Sequence, residues 1–133
     1  MPVYTCTIAE GTLTSESKAL LAAEIARIHA AVNKVPPTYV NVNFSELPAG
    51  DVFVGGEVGK PLILSGCARR GHPQEALTRL ALELASAAAR ISGLDKRHVV
   101  VMIQDVPARS WVEAGMVLPE PGQEAQWLEQ AGP

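Results

Sequence analysis

Apolar residues recur along the first third of the chain with two periods, one typical of strands and the other of helices. Residues 3–8 are largely apolar and predict a short strand. Leucine, isoleucine and valine then repeat at helical spacing, and Thr14 supplies a hydroxyl that can cap the start of this helix. The proline pair at 36–37 must end the helix. A second strand is predicted over residues 39–44, where apolar side chains alternate.

The second half of the chain repeats the same order of elements. After a glycine-rich link at residues 50–59, the apolar stretch 62–68 predicts a strand. Pro73 lies where the first residue of a helix is expected. An apolar stripe follows at helical spacing, and Gly93 marks the predicted end of the helix. Because residues 98–104 form a last long strand, the order is β-α-β, a link, and β-α-β again.

This doubled unit predicts an α/β fold, called α+β in some schemes, as a single domain over residues 1–133. The repeats span about 1–46 and 61–105, and the strands of each repeat should be parallel with a right-handed crossover. Four strands and two helices place both helices on one face of the sheet, so a second subunit is needed to cover the other face. We expect the C-terminal arm, residues 106–133, to form short helical turns and arms that wrap a neighbour.

The composition is that of a globular protein, with 47% hydrophobic and 19% charged residues. The net charge of −3 gives no case for a nucleic-acid partner. No apolar run is long enough to span a membrane, and no secretory leader is evident, so we expect a cytoplasmic protein. Cys6 and Cys67 are expected to be small buried hydrophobes in a reducing compartment, and no spacing of cysteine and histidine suggests a metal site.

The second residue of the chain, Pro2, is the first candidate for chemistry. A methionine that precedes a small residue is usually removed during synthesis, and Pro2 would then carry the α-amino group on a rigid ring. Such a group has an ordinary pKa of about 7.7–8.0, so modest surroundings can make it a base or an acid at neutral pH. If Met1 is retained, Pro2 is an amide and has no basic nitrogen.

A proline in this position, together with the doubled β-α-β unit, resembles the tautomerase superfamily, and within it the cis-3-chloroacrylic acid dehalogenase subgroup. The resemblance covers nearly the whole chain and implies a homotrimer that needs no cofactor, with the N-terminal proline as catalyst. The stretches that carry it are Met-Pro-Val-Tyr at 1–4, Val-Asn-Phe at 42–44, Pro-Ala-Gly-Asp-Val-Phe-Val-Gly-Gly at 48–56, Lys-Arg-His at 96–98, Val-Glu-x-Gly at 112–115 and Leu-Pro-x-Pro-Gly at 118–122.

Three side chains near the end of the third long strand are candidates for binding a substrate carboxylate. An arginine can hold a carboxylate with two parallel hydrogen bonds, and Arg69 and Arg70 follow this strand directly. The resemblance assigns the carboxylate-binding role to Arg69, whereas Arg70 fits a solvated basic turn better. The second arginine of the family pattern falls on His72, whose charge depends on pH. We therefore expect carboxylate binding that is weaker or more sensitive to pH.

Three more residues enter the candidate site through the resemblance. His29 lies near the edge of the buried helical stripe, where the residues alone predict a core histidine and the family has one that contacts substrate. Glu113 falls on the glutamate that activates water in the dehalogenases, although the residues alone favour an exposed loop acid. The tyrosine that helps this glutamate falls on Met102, which cannot donate a hydrogen bond. This last change counts against efficient water addition.

The leading hypothesis is a cofactor-independent tautomerase acting on small enol, 2-oxo or unsaturated carboxylates, with Pro2, His29 and Glu113 as catalytic residues. One alternative is a hydratase or dehalogenase that adds water to 3-substituted acrylates, which the changes at His72 and Met102 oppose. The other alternative is a non-catalytic trimeric binding protein. A small carboxylate and further copies of the chain are the only partners expected.

Overall fold

Two β-α-β units with short hairpins and a C-terminal helix make up the computed structural model, which describes residues 1–132. In chain order its strands and α-helices are β1 (Val3–Ala9), α1 (Ser15–Asn33), β2 (Asn41–Leu47), β3 (Phe53–Val54), β4 (Glu57–Val58), β5 (Leu62–Arg69), α2 (Gln74–Ser92), β6 (Val99–Val106), β7 (Val112–Glu113), β8 (Met116–Val117) and α3 (Glu124–Ala131). Thr14 caps α1, as predicted, by accepting a hydrogen bond of 3.1 Å from the Ser17 amide.

The four long strands form one sheet in the order β2-β1-β5-β6. Strands β1 and β2 are parallel, as are β5 and β6, whereas the central pair β1 and β5 is antiparallel. Each parallel pair belongs to one β-α-β repeat, so the predicted tandem architecture is confirmed. The antiparallel join brings the first residues of β1 beside the last residues of β5, with Val3 opposite Cys67.

Strand alternation gives the sheet one covered and one open face. The covered face and both long helices share one buried cluster, which includes Tyr4, Cys6, Ile8, Leu21, Ile25, Leu62, Leu64, Leu80 and Leu84. Both helices therefore lie on the same face, as the sequence predicts. On the open face Val3, Val100 and Met102 are 39%, 44% and 57% exposed.

Element boundaries differ from the sequence prediction near the prolines. Strand β2 begins at Asn41 rather than at residue 39, because Pro37–Tyr39 forms a 3₁₀ turn closed by a hydrogen bond from the Val40 amide to the Pro37 carbonyl. Helix α2 begins one residue after Pro73, which serves as its N-cap with an extended backbone. These shifts leave the order of elements unchanged.

The C-terminal arm contains a 3₁₀ turn at Ala108–Ser110 and the short helix α3. Helix α3 places Trp127 in a second buried cluster with Met1, Val35, Ala108 and Leu118. The Trp127 indole also donates a hydrogen bond of 3.0 Å to the Val117 carbonyl. The end of the arm thus packs on its own chain, because the indole finds both apolar cover and an acceptor there. The expectation that the arm also wraps a neighbour stays a prediction.

Both cysteines are free thiols, in agreement with the expectation of no disulfide. Cys6 is buried in the core, and this burial raises the pKa of its thiol to about 12, whereas Cys67 lies on the open face and is half-buried. Among the helices of residues 1–132, none is both long and apolar enough to cross a membrane.

A chain of three polar side chains crosses the otherwise apolar core. The Tyr4 hydroxyl lies 2.7 Å from Nδ1 of His29, and the Asn33 amide nitrogen lies 3.2 Å from the other ring nitrogen. Gly66 lies opposite Tyr4 on the adjacent strand β5, and a Cβ at position 66 would come within 2.4 Å of the tyrosine ring. Burial, together with the nearby positive charges of the N-terminus, His72 and Arg69, lowers the pKa of His29 to about 3.

The lowered pKa of His29 predicts a loss of stability on mild acidification. The ordinary pKa of histidine is 6.5. Below this pH, His29 therefore binds a proton in the unfolded chain but stays neutral in the folded chain. We expect the free energy of unfolding to fall between pH 6.5 and 5 by at most about 1.4 kcal/mol per pH unit for this group. Urea unfolding at several pH values measures the slope.

His98 provides the matched control for this experiment, because it is an exposed histidine at the start of β6. The slope should become shallower in His29→Gln and stay unchanged in His98→Gln. An identical slope in His29→Gln and the wild type would show that His29 does not remain neutral in the fold.

Candidate active site

The N-terminal amine of the chain is buried at the start of β1. Met1 is 1% exposed, and its amine lies 3.1 Å from Oε1 of Glu113 while also donating a hydrogen bond to the Tyr39 carbonyl. Pro2 is fully buried as well, and its carbonyl accepts a hydrogen bond of 3.1 Å from the Asn41 amide. The pairing of β1 with β2 therefore holds the terminus in place. With Met1 present, the nitrogen of Pro2 is an amide nitrogen.

The side chain of Met1 fills an apolar pocket next to this amine. It belongs to one buried apolar cluster with Val35 after α1, Ala108 after β6, Leu118 after β8, and Trp127 of α3. Four separate parts of the chain thus contribute to the cluster that holds Met1. The pocket is closed on the helix α3 side by the indole ring, which also packs edge-on against Tyr39 with ring centroids 5.5 Å apart.

Glu113 reaches the amine from the hairpin of β7 and β8. The two residues at the tip of this hairpin, Ala114 and Gly115, have φ values of 52° and 74°. A tight hairpin turn of this type needs positive φ at both positions, and it aims the preceding residue towards the terminus. One carboxylate oxygen of Glu113 bonds the amine, whereas the other, Oε2, is buried with no hydrogen-bond partner in residues 1–132. This oxygen is a free acceptor inside the site.

Arg69 lies at the end of β5 and is 3% exposed, and its guanidinium is held by two hydrogen bonds. It donates hydrogen bonds of 2.7 Å to Oε1 of Glu124 and 2.5 Å to the Pro119 carbonyl. Partial burial alone would raise the pKa of Glu124, but the bonds from Arg69 and from backbone amides lower the pKa below its ordinary value. The two side chains therefore form a buried ion pair between the sheet and the first turn of α3.

The other two basic candidates, His72 and Arg70, differ in their exposure. His72 is half-buried, and burial together with the charge of Arg69 lowers its pKa while Glu124 opposes the shift. His72 is thus largely neutral at neutral pH. Arg70 is 60% exposed on its side chain and lies 3.6 Å from Asp105, which matches the predicted solvated turn rather than a binding role.

The causes of the pKa shifts indicate which of these groups lie close to one another. Burial lowers the pKa of the Met1 amine below 8.0, Glu113 opposes this shift, and the charge of Arg69 adds to it. The charges of the amine, His72 and Arg69 in turn contribute to the lowered pKa of His29. The fold therefore brings together five of the predicted positions, namely the N-terminus beside Pro2, His29, Arg69, His72 and Glu113.

Met102 does not join this group within one chain. It lies in the middle of β6, opposite Ser65 of β5, and its side chain points to the open face of the sheet. There it lines a depression with Val3, Thr5 and Cys67. The prediction that Met102 stands beside Glu113 thus depends on a neighbouring copy of the chain.

Sequence reasoning missed four groups of the site. Tyr4 and Asn33 hold the ring of His29, the Tyr39 carbonyl binds the amine, and Glu124 pairs with Arg69. The contact of Tyr4 could have been predicted from the sequence, since strand alternation turns its side chain toward the helices. No signal marked Glu124, which lies 55 residues from Arg69. Within residues 1–132, no group of three or more His, Cys, Asp and Glu side chains could hold a metal ion.

Several solved structures are similar to this chain over most of its length. The structure of native Ps01740 is 33% identical, covers 84% of this chain and 99% of its own, and gives a TM-score of 0.82. N1, described as a member of the cis-3-chloroacrylic acid dehalogenase family, is 27% identical over 94% of this chain and 89% of its own, with a TM-score of 0.89. A native fused 4-OT, 22% identical over 86% of this chain and 94% of its own, shares the fold with a TM-score of 0.79.

A comparison with curated protein sequences gives no match. The family model described as "Putative oxalocrotonate tautomerase enzyme" matches residues 1–131, which is nearly the whole chain. Together with the fold, this match confirms the resemblance inferred from the sequence. The chain belongs to this family of the tautomerase superfamily.

Proposed function

We propose that the protein is a cofactor-independent tautomerase of small enol or 2-oxo carboxylates, with the amine of Pro2 as its base after removal of Met1. The observation that carries this proposal is the buried N-terminal amine beside Glu113, in the electrostatic range of Arg69. An amine that is desolvated and near a cation loses its proton more easily, and a neutral amine is the base that the reaction needs.

Removal of Met1 moves the free amine onto Pro2 and leaves the apolar pocket for a substrate. Pro2 is itself fully buried while Met1 is in place, so its amine would again be shielded from water once a substrate fills the vacated pocket. The pocket now filled by the Met1 side chain is lined by Val35, Leu118 and Trp127. It suits the hydrocarbon part of a small unsaturated acid, while Arg69 provides the cation for its carboxylate.

The reaction moves one proton between oxygen and carbon. The neutral amine of Pro2 takes the proton of the enol hydroxyl, the carbonyl forms as the double bond shifts, and the ammonium returns the proton to the adjacent carbon. His29 remains neutral, and both of its ring nitrogens are occupied by Tyr4 and Asn33. Direct contact with substrate requires replacing the longer of these bonds, that of 3.2 Å to Asn33.

Water addition to an unsaturated acid is the second candidate function. It is favoured by the buried Oε2 of Glu113, which has no partner in residues 1–132 and could accept a proton from an attacking water. The similarity to N1 agrees with it. The neutral His72 and the absence of a hydroxyl at Met102 disfavour it, so we place it after tautomerisation.

We further propose a homotrimer, because the open sheet face and both hairpins carry exposed apolar side chains. On the hairpins Phe53, Val58 and Val112 are 58%, 61% and 61% exposed. A structure described as a fused 4-OT symmetric trimer shares the fold with a TM-score of 0.80 at 24% identity. A neighbouring copy would bring its Met102 side chain towards a site that one chain leaves incomplete.

The role of the Pro2 amine is tested by Pro2→Ala, which keeps a small second residue and therefore still permits removal of Met1. We expect kcat/KM for the ketonisation of 2-hydroxy-2-pentenoate to fall by about 10²–10⁴-fold, the range typical of a lost acid–base group. Mass spectrometry must first show that Met1 is absent from both proteins. Wild-type turnover in folded Pro2→Ala, or activity in a protein that retains Met1, contradicts the proposal. Retained Met1 with no activity supports a binding trimer instead.

Substitution of His72 tests carboxylate binding. In His72→Arg a permanent bidentate cation replaces a largely neutral imidazole, so KM for the same enol should fall about tenfold at pH 7. The advantage should shrink as the pH is lowered towards the pKa of His72, because the wild type then gains its own cation. Arg70→Gln is the control, and an equal effect of both substitutions places His72 outside the site.

Combining His72→Arg with Met102→Tyr tests the second candidate function. A hydroxyl supplied by a neighbouring copy beside Glu113 should raise water addition to cis-3-chloroacrylate, measured as chloride release. If chloride release stays undetectable in the double variant, Met102 does not face the site in the oligomer.

The oligomeric state is measured by light scattering at micromolar concentration, where we expect three copies per particle. Val100→Glu places a charge on the open face and should yield smaller particles. Leu82→Glu is the matched control, because Leu82 is 66% exposed on α2, away from that face. A monomeric wild type rules out the trimer.

A further inference from the structure

Helix α3 covers both halves of the candidate site. Glu124 in its first turn pairs with Arg69, and Trp127 one turn later closes the apolar pocket of Met1. Leu128 and Ala131 of the same helix also pack against the cluster that holds Met1, and the Trp127 indole donates a hydrogen bond to the Val117 carbonyl. Only Trp127 is buried among its eight residues.

The bond between Glu124 and Arg69 has the chemistry of a bound substrate. A carboxylate oxygen accepts a hydrogen bond of 2.7 Å from a guanidinium that is 3% exposed. His72, the other basic group of the predicted binding set, is half-buried, and the charges of both Arg69 and Glu124 influence its pKa. Glu124 thus occupies the place where the carboxylate of a small acid would bind.

A second hydrogen bond ties Arg69 to the segment that leads into α3. The Pro119 carbonyl accepts from the guanidinium at 2.5 Å, and Pro121 packs so closely on Gly71 that a Cβ there would approach within 2.9 Å. Gly71 has a φ of 122°, which few other residues adopt. The segment is therefore seated directly over the arginine and its neighbours.

We propose that Glu124 is an internal competitor of the substrate carboxylate at Arg69, so that α3 acts as an autoinhibitory lid that a small carboxylate displaces. The inference rests on the proposed role of Arg69 as the substrate-binding cation. An arriving carboxylate replaces one charge-assisted hydrogen bond by another, and the net cost is the release of Trp127 from its pocket. The exchange is selective for anions, since a neutral ligand cannot compensate the buried guanidinium.

Propionate is a suitable probe because it carries a carboxylate and an apolar tail without reactive groups, and propionamide is its neutral counterpart. We expect Glu124→Gln to bind propionate about tenfold more tightly than the wild type in calorimetry, and neither protein to bind propionamide. Glu129→Gln is the matched control, an exposed glutamate on the same helix. It should bind propionate as the wild type does.

Hydrogen exchange on the unmodified protein gives a readout that needs no variant. Propionate should accelerate the exchange of amides in residues 124–131, relative to propionamide, while amides of β1 and β5 stay protected. Unchanged or slower exchange in that helix overturns the lid.

Substitution of Arg69 separates failure of the lid from failure of the proposed function. If Arg69→Gln loses propionate binding while Glu124→Gln binds no more tightly than the wild type, the lid is overturned and Arg69 keeps its proposed role. If Arg69→Gln binds propionate as well as the wild type, or if no protein binds it, both proposals fail.

Discussion

The burial of the N-terminal amine against Glu113 is the constraint on which the rest of the site depends. A charged amine is costly to remove from water unless a partner and hydrogen bonds replace the lost solvation. The chain meets this cost with a carboxylate from one hairpin and the Tyr39 carbonyl from the 3₁₀ turn before β2. Because both lie at the same end of the sheet as the start of β1, the sheet register determines the position of the catalytic candidate.

The positive and negative groups around the amine balance one another. Two carboxylates, Glu113 and Glu124, face the amine and Arg69, and the two histidines are kept largely neutral by burial and by the cations beside them. Adding a substrate carboxylate without displacing Glu124 would place an uncompensated negative charge in this pocket. Under the proposed lid, an entering carboxylate therefore has to displace Glu124.

The parts of the fold that depend on local patterns were predictable from the sequence. Helix caps, strand alternation and the proline breaks located both β-α-β repeats, and the apolar stripes placed α1 and α2 on one face. Contacts between distant segments were not predictable. The pairing of Arg69 with Glu124 depends on how the arm folds back after Leu118, and the placement of Met102 on the open face depends on strand register. Neither leaves a periodic signal.

In the proposed mechanism, the choice between isomerisation and water addition depends on the protonation state of the terminal amine as well as on His72 and Met102. With Met1 in place, desolvation is the largest influence on the amine of Met1 and lowers its pKa, and Arg69 acts in the same direction, whereas Glu113 opposes both. The net effect favours a neutral amine, which can take a proton but cannot give one to begin water addition. A variant lacking the Glu113 carboxylate should thus have an even more weakly basic terminus.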